Sequence, residues 1–202
     1  MPRQVDHQER RRQIADAVAR IAADRGLGGV SFREVAAEAG VSVSLVQHYF
    51  GTKDGLLLGT LEIVTGRMAE RIFRQVAPLG DDAPPRARLR VVAGAFLPTD
   101  EESRAAMLVY HGFTAVAITD ETLRTADAFR NSQGLLGFLA GQLRAAAATG
   151  DLAAGADPDV EAWVLLSLVL GLSLGVLLDQ LDADHAGAVL DAHLARLIAG
   201  PG

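Results

Sequence analysis

Cysteine is absent from the 202 residues. That excludes disulfides and thiolate metal sites, and nothing in the chain suggests an oxidising compartment. Aromatic residues make up only 5%. Apolar and polar residues never alternate long enough to build a sheet, since Val30-Ser31-Phe32 is too short to count. The opening string MPRQVDHQERRRQ lacks the apolar core of a signal peptide, which makes a cytoplasmic protein the expectation. GxSxG, HExxH, a Walker A loop and GxGxxG after a strand are all missing, so the chain lacks the parts of the common enzyme classes. Asp157-Pro158-Asp159-Val160-Glu161 lacks the spacing of a calcium loop and reads as a helix start. No cofactor or metal site is expected.

What is present is helix-forming material. Half the residues are hydrophobic, dominated by Ala, Leu, Val and Gly; Ala and Leu are strong helix formers. The expected fold is all-α, with about nine helices. The first runs from about His7 to Arg25, with Ile14, Val18, Ile21 and Ala22 at helical spacing. Ser31 and Ser42 read as N-caps of two short helices, Ser31 with Glu34 as a capping box. Thr52 caps a helix from Lys53 to about Val76. Further helices are expected over about Pro85–Leu97, Thr99–Thr119 (with Thr99 and Glu102 as a capping box), Asp120–Thr149, Pro158–Leu181 and Asp184–Ala199.

The stretch Ala162–Leu178 is 17 residues long and strongly apolar, the short edge of a membrane span. Its flanks carry Asp157, Asp159, Glu161, Asp179 and Asp182 and no Lys or Arg. It reads instead as a helix of a soluble bundle or a subunit interface.

Residues 30–57, VSFREVAAEAGVSVSLVQHYFGTKDGLL, read as a helix, a tight turn at Gly40, a second helix and the start of a third. This is the plan of a helix-turn-helix, whose second helix enters the major groove of DNA. The net charge is −6, yet residues 1–53 hold eight Lys/Arg against six Asp/Glu. A head of net +2 thus precedes a body of net −8, a split that suits DNA reading at one end. Val43, Ser44, Gln47 and His48 are expected on the outer face of the second helix. Gln bonds adenine bidentately, and Val meets a thymine methyl. Ser42 at a helix N-terminus suits a phosphate as well as a cap, and Arg33 is a further phosphate candidate. Arg10, Arg11 and Arg12 either track phosphates or form an exposed basic turn.

The pattern Phe32-x-x-Val35-Ala36-x-x-Ala39-Gly40-Val41-Ser42, followed by Val46-x-x-Tyr49-Phe50-x-x-Lys53-x-x-Leu56-Leu57, resembles the TetR/AcrR family of bacterial regulators. The match covers about residues 10–60. The resemblance implies a three-helix DNA-binding head, a helical effector-binding body and a homodimer. It also implies that Tyr49 and Lys53 contact the DNA backbone. Leu45 departs from the small residue common in the family, and Gln47 stands where an aromatic is usual. The string Gln47-His48-Tyr49-Phe50-x-x-Lys53-Asp54-Gly55-Leu56-Leu57 is similar to the head of the BetI-like, choline-responsive subgroup.

The family's last two helices pair with their twins. Here Ser167, Gly171 and Gly175 recur every four residues and would let helices approach closely, while Leu166, Leu170, Leu174 and Leu177/Leu178 supply apolar area. Tyr110, His111, Phe113, Thr114, Gln133 and Trp163 are candidate effector contacts, although aromatics here are also core material. A largely apolar or cationic effector fits such a lining.

The resulting expectation is a DNA-binding domain over residues 1–52 and an effector-binding and dimerisation domain over residues 53–202. The chain would be a ligand-responsive repressor on a pseudopalindromic double-stranded operator, without membrane attachment. The rival is a soluble ligand-binding or enzymatic helical bundle, in which the helix-turn-helix only packs.

Overall fold

A computed structural model describes residues 2–80, 82–124 and 127–198, with side chains described outside residues 2–6, 122 and 127–133. The fold is all-α. Its helices are α1 (Pro2–Arg25), α2 (Phe32–Ala39), α3 (Val43–Phe50), α4 (Lys53–Val76), α5 (Pro85–Gly94), α6 (Glu101–Ala117), α7 (Glu121–Arg124), α8 (Asp127–Ala148), α9 (Pro158–Leu177) and α10 (Ala183–Leu197). Extended pairing among the described residues is limited to one bridge, Leu152 with Ile198.

The chain forms two compact units. One comprises Met1–Arg67 with Leu108–Phe129, the other Met68–Met107 with Arg130–Gly202. In the first unit α1 packs on α2, and α2 on α3. Ile14, Val18, Ile21, Val35, Val46, Leu56 and Leu61 are buried there. Arg67 of α4 grips Asp16 of α1 through both carboxylate oxygens. In the second unit α5, α9 and α10 pack together around Leu89, Leu165, Leu190 and Leu194.

Local chemistry sets most boundaries. Ser31 Oγ accepts the Glu34 N–H at 3.2 Å and donates to the Glu34 carboxylate at 2.7 Å. Thr52 Oγ1 accepts the Gly55 N–H, and Asp157 accepts those of Asp159 and Val160 beside Pro158.

Helix α1 starts at Pro2 rather than near His7, and four other boundaries differ from the sequence expectation. The capping box of α6 lies one residue later than Thr99–Glu102. Asp100 Oδ1 accepts the Ser103 N–H at 2.7 Å, and Ser103 Oγ accepts the Asp100 N–H at 3.0 Å. The Asp100 carboxylate takes the Ser103 N–H, and Arg71 of α4 fixes it from the other side. The expected single helix from Asp120 to Thr149 is two, α7 and α8. Helix α5 stops at Gly94, and turn bonds such as Leu97 N–H to Gly94 C=O close the chain ahead of Pro98. Helix α9 stops at Leu177 because Asp179 takes a left-handed φ of 55°. The Gln180 N–H then bonds back to Gly175 and the Asp179 N–H to Val176, closing the helix end. The expected C-terminal limit at Ala199 lies outside the described residues.

Candidate nucleic-acid interface

The turn between α2 and α3 determines which side of α3 faces out. Gly40 holds φ 66°, ψ 33°, a conformation only glycine adopts cheaply. Its N–H bonds to Ala37, and the Val41 N–H bonds to Ala36, satisfying the last carbonyls of α2. The chain then reverses into Ser42, whose Oγ accepts the Leu45 N–H at 3.2 Å and meets Ser44 Oγ at 3.0 Å. Val46 and Phe50, four residues apart, are buried and fasten α3 to the core. Val43, Ser44, Gln47 and His48 are exposed together on the opposite side, as their spacing predicts.

Phe50 is held unusually tightly. A Cβ placed on Gly59 of α4 would lie 2.7 Å from the ring, so α4 approaches the phenyl as only glycine permits. The Arg11 guanidinium sits 5.2 Å from the centre of the same ring. Arg11 therefore packs on α3, while Arg10 donates to Gln13 at 2.7 Å. Gln13 in turn donates to the Ala39 carbonyl at 2.7 Å, fixing the end of α2 against α1. Arg12, Arg33 and Lys53 are exposed.

Tyr49 is half-buried, and its hydroxyl lies 2.8 Å from Nδ1 of His7. The two rings meet edge-on at 5.7 Å, and His48 meets Tyr49 in the same manner at 5.4 Å. Sequence reasoning assigned nothing to His7, Gln13 or Gly59. The contacts that tie them to α2, α3 and α4 join residues between 9 and 42 positions apart, and no local spacing marks them.

The effector candidates divide. Tyr110 and His111 are partly buried edge-to-face neighbours at 5.8 Å. Burial pushes the Tyr110 phenol up and the His111 imidazole down from their ordinary ranges. Thr114 Oγ1 donates to the Tyr110 carbonyl, and Phe113 is fully buried. Gln133 lies outside the described side chains. Trp163 is 60% exposed on α9.

Trp163 belongs instead to an apolar stripe along α9. Val160 is 58% exposed, Val164 42%, Leu174 44% and Leu178 57%. Ser167 and Gly171 are exposed between them, and Leu170 and Gly175 flank the stripe partly buried. Gly175 lies against Leu181, where an added Cβ would make ordinary contact at 3.6 Å. Leu165, Val169 and Val176 point the other way into the unit's core, and so does Leu166, which the sequence placed with the interface leucines. This is a helix apolar on both sides, with one side covered by its own chain.

Comparison with known proteins places this geometry. Residues 14–60 match the family described as bacterial regulatory proteins, tetR family. Residues 85–199 match the family described as BetI-type transcriptional repressor, C-terminal. The HTH-type transcriptional regulator PksA of Bacillus subtilis (strain 168) is 33% identical over 202 residues, covering 98% of this chain and 94% of the relative. A transcriptional regulator from Saccharomonospora viridis, solved in complex with choline, is 25% identical with a TM-score of 0.81, covering 96% of this chain and 100% of that one. AibR, solved with isovaleryl coenzyme A and operator DNA, is 25% identical with a TM-score of 0.72, covering 94% and 98% respectively. With a capped and anchored α3 in the first unit and family matches over both head and body, the chain belongs to the TetR family of DNA-binding transcriptional regulators.

Proposed function

We propose that the chain is a ligand-responsive one-component repressor. Residues 1–52 serve as the DNA-binding domain, and residues 53–202 bind the effector and dimerise. The observation that carries this reading is the two-sidedness of α3: Val46 and Phe50 are buried while Val43, Ser44, Gln47 and His48 are exposed together. In the major groove these four read base edges, with Gln47 suited to adenine and Val43 to a thymine methyl. Ser42, Tyr49, Lys53 and Arg33 hold phosphates. Lys53 opens α4, where a cation opposes the helix dipole, and an external phosphate offsets that cost.

The exposed stripe of α9 supports a homodimer. Dimerisation would cover Trp163, Val164, Leu174 and Leu178, with Ser167 and Gly171 permitting close approach. A twofold dimer matches two half-sites about 34–36 Å apart, hence a pseudopalindromic operator. The effector is largely apolar or cationic, and the partly buried Tyr110 and His111 are its candidate contacts. The choline-bound relative and the BetI-type match make a quaternary ammonium the first compound to try. Helix α4 runs without a break from residue 53 to 76. Effector binding would select a state in which the two α3 helices no longer match the half-sites. Such a protein acts where its DNA is, in the bacterial cytoplasm.

The test is fluorescence anisotropy of the protein on the DNA just upstream of its own gene, across a salt series with random DNA as competitor. If that DNA is not preferred, sites are selected from a random library. Competitor-resistant binding that weakens with salt is expected. Substituting Gln47 and Lys53 together by Ala should abolish it while leaving helicity and dimerisation intact. Undiminished binding by that double variant overturns the assignment of the reading face. Turnover of a bound compound without DNA affinity would favour the rival bundle.

A further inference from the structure

The pairing of His7 with Tyr49 joins the start of α1 to the end of α3, and the reading above makes no use of it. His7 Nδ1 lies 2.8 Å from the Tyr49 hydroxyl, and the rings of His7 and His48 both meet the phenol edge-on. The phenol is therefore braced by two imidazoles, and its oxygen is hydrogen-bonded to one of them. A phenol has one proton to give and lone pairs to receive with. Two arrangements satisfy the 2.8 Å contact. In the first, the Tyr49 O–H donates to an unprotonated Nδ1, and its single proton is spent inside the protein. In the second, Nδ1–H donates to the phenol oxygen, and the hydroxyl proton turns outward. A phosphate diester offers only acceptors. Only the second arrangement lets Tyr49 hydrogen-bond to it.

We propose that His7 is a positioning residue for DNA. Its Nδ1–H donates to the Tyr49 oxygen and directs the hydroxyl proton to a backbone phosphate oxygen. The inference rests on the reading of Tyr49 as a phosphate contact. It extends the nucleic-acid face from α3 onto the early turns of α1, and it assigns the His7 tautomer in the complex. No bond is made or broken; one proton donor faces the phenol and the phenol's own proton faces DNA.

Asparagine and leucine separate this role from packing. Asn places an amide N–H close to where His carries Nδ1, while Leu has nearly the same shape without a donor. Affinity for the operator found as above is measured for His7→Asn and His7→Leu, each alone and combined with Tyr49→Phe. Thermal melts monitored by circular dichroism accompany each variant. His7→Leu should weaken binding about tenfold, because the Tyr49 hydroxyl is no longer held with its proton toward the phosphate. His7→Asn should stay within about threefold of the natural chain. In the Tyr49→Phe background the Asn and Leu variants should bind alike. A methylphosphonate scan of the operator should find one neutralised phosphate at which His7→Leu costs nothing further. If Tyr49→Phe weakens binding and His7→Leu does not, the role of His7 is overturned while the Tyr49 contact stands. Wild-type affinity in Tyr49→Phe overturns both. Failure of the natural chain to select any site overturns the proposed regulator itself.

Discussion

A single methyl group on Gly59 tests how α3 is held. The added Cβ would lie 2.7 and 2.9 Å from two carbons of the Phe50 ring, and Arg11 covers that ring as well. The phenyl has little freedom to retreat. Gly59→Ala should therefore cost about 1–3 kcal/mol, as overpacking does, despite alanine's better helix propensity. The shift in urea midpoint of the isolated protein measures it. Asp179 makes the opposite case. Its φ of 55° is tolerated by Asp and open to Gly, but forbidding to a β-branched residue. Asp179→Val should lose about 1–2 kcal/mol, whereas Asp179→Gly should lose nothing. Equal losses in the two variants would mean that the Asp179 carboxylate, not its backbone, matters there. The difference between these residues also explains what was legible in the sequence. Ser31, Ser42 and Gly40 act on neighbours three to five positions away, so local spacing reveals them. Gly59, Gln13 and His7 act on partners that only the fold brings near.

At the scale of the element, the start of α6 shows a cap whose strength depends on pH. The Arg71 guanidinium, together with the Ser103 N–H, holds the Asp100 carboxyl well below the usual carboxylate range. Folding therefore favours the ionised form. The stabilisation is fully present above the unfolded carboxyl pKa of about 3.9 and is lost as pH falls below it toward the folded value. Asp100 is nearly half exposed, so solvent screening leaves about 1 kcal/mol. Asp100→Asn should lose that amount at pH 7, and its deficit against the natural chain should shrink as pH drops from 4 to about 2. A deficit independent of pH would assign the effect to side-chain geometry alone. Helix α9 presents a different element-scale question. Its sequence showed apolar residues all round, and periodicity alone did not say which side its own chain would cover. The structure leaves Val160, Trp163, Val164, Leu174 and Leu178 outside. In the proposed homodimer two such faces meet, and Leu174→Glu should then drive the protein to monomers in sedimentation equilibrium. A dimer of unchanged affinity would move the interface elsewhere.

For the whole molecule, the sequence reading got furthest where function is local. The all-α fold and the helix-turn-helix of the TetR family were legible from composition and spacing. The effector was not, because a binding cavity is assembled from residues on several helices and no short motif records it. Thermodynamics nonetheless constrains the proposed effector. If one compound lowers operator affinity a hundredfold, the two states must differ in their affinity for it by about 2.7 kcal/mol. Linkage is reciprocal, so the operator must weaken binding of that compound by the same factor. Choline is the first probe, titrated by calorimetry into the free protein and into the protein saturated with its operator. The ratio of the two dissociation constants should equal the ratio of operator affinities measured with and without saturating choline. A ratio well above one in both measurements would establish choline as an effector coupled to the operator. A choline that binds free and operator-bound protein equally, leaving operator affinity unchanged, would exclude it as the effector and pass the same test to the next cationic or apolar compound. Unequal ratios would show that the compound also changes assembly, and repeating the titrations over a range of protein concentrations would then separate dimerisation from DNA binding.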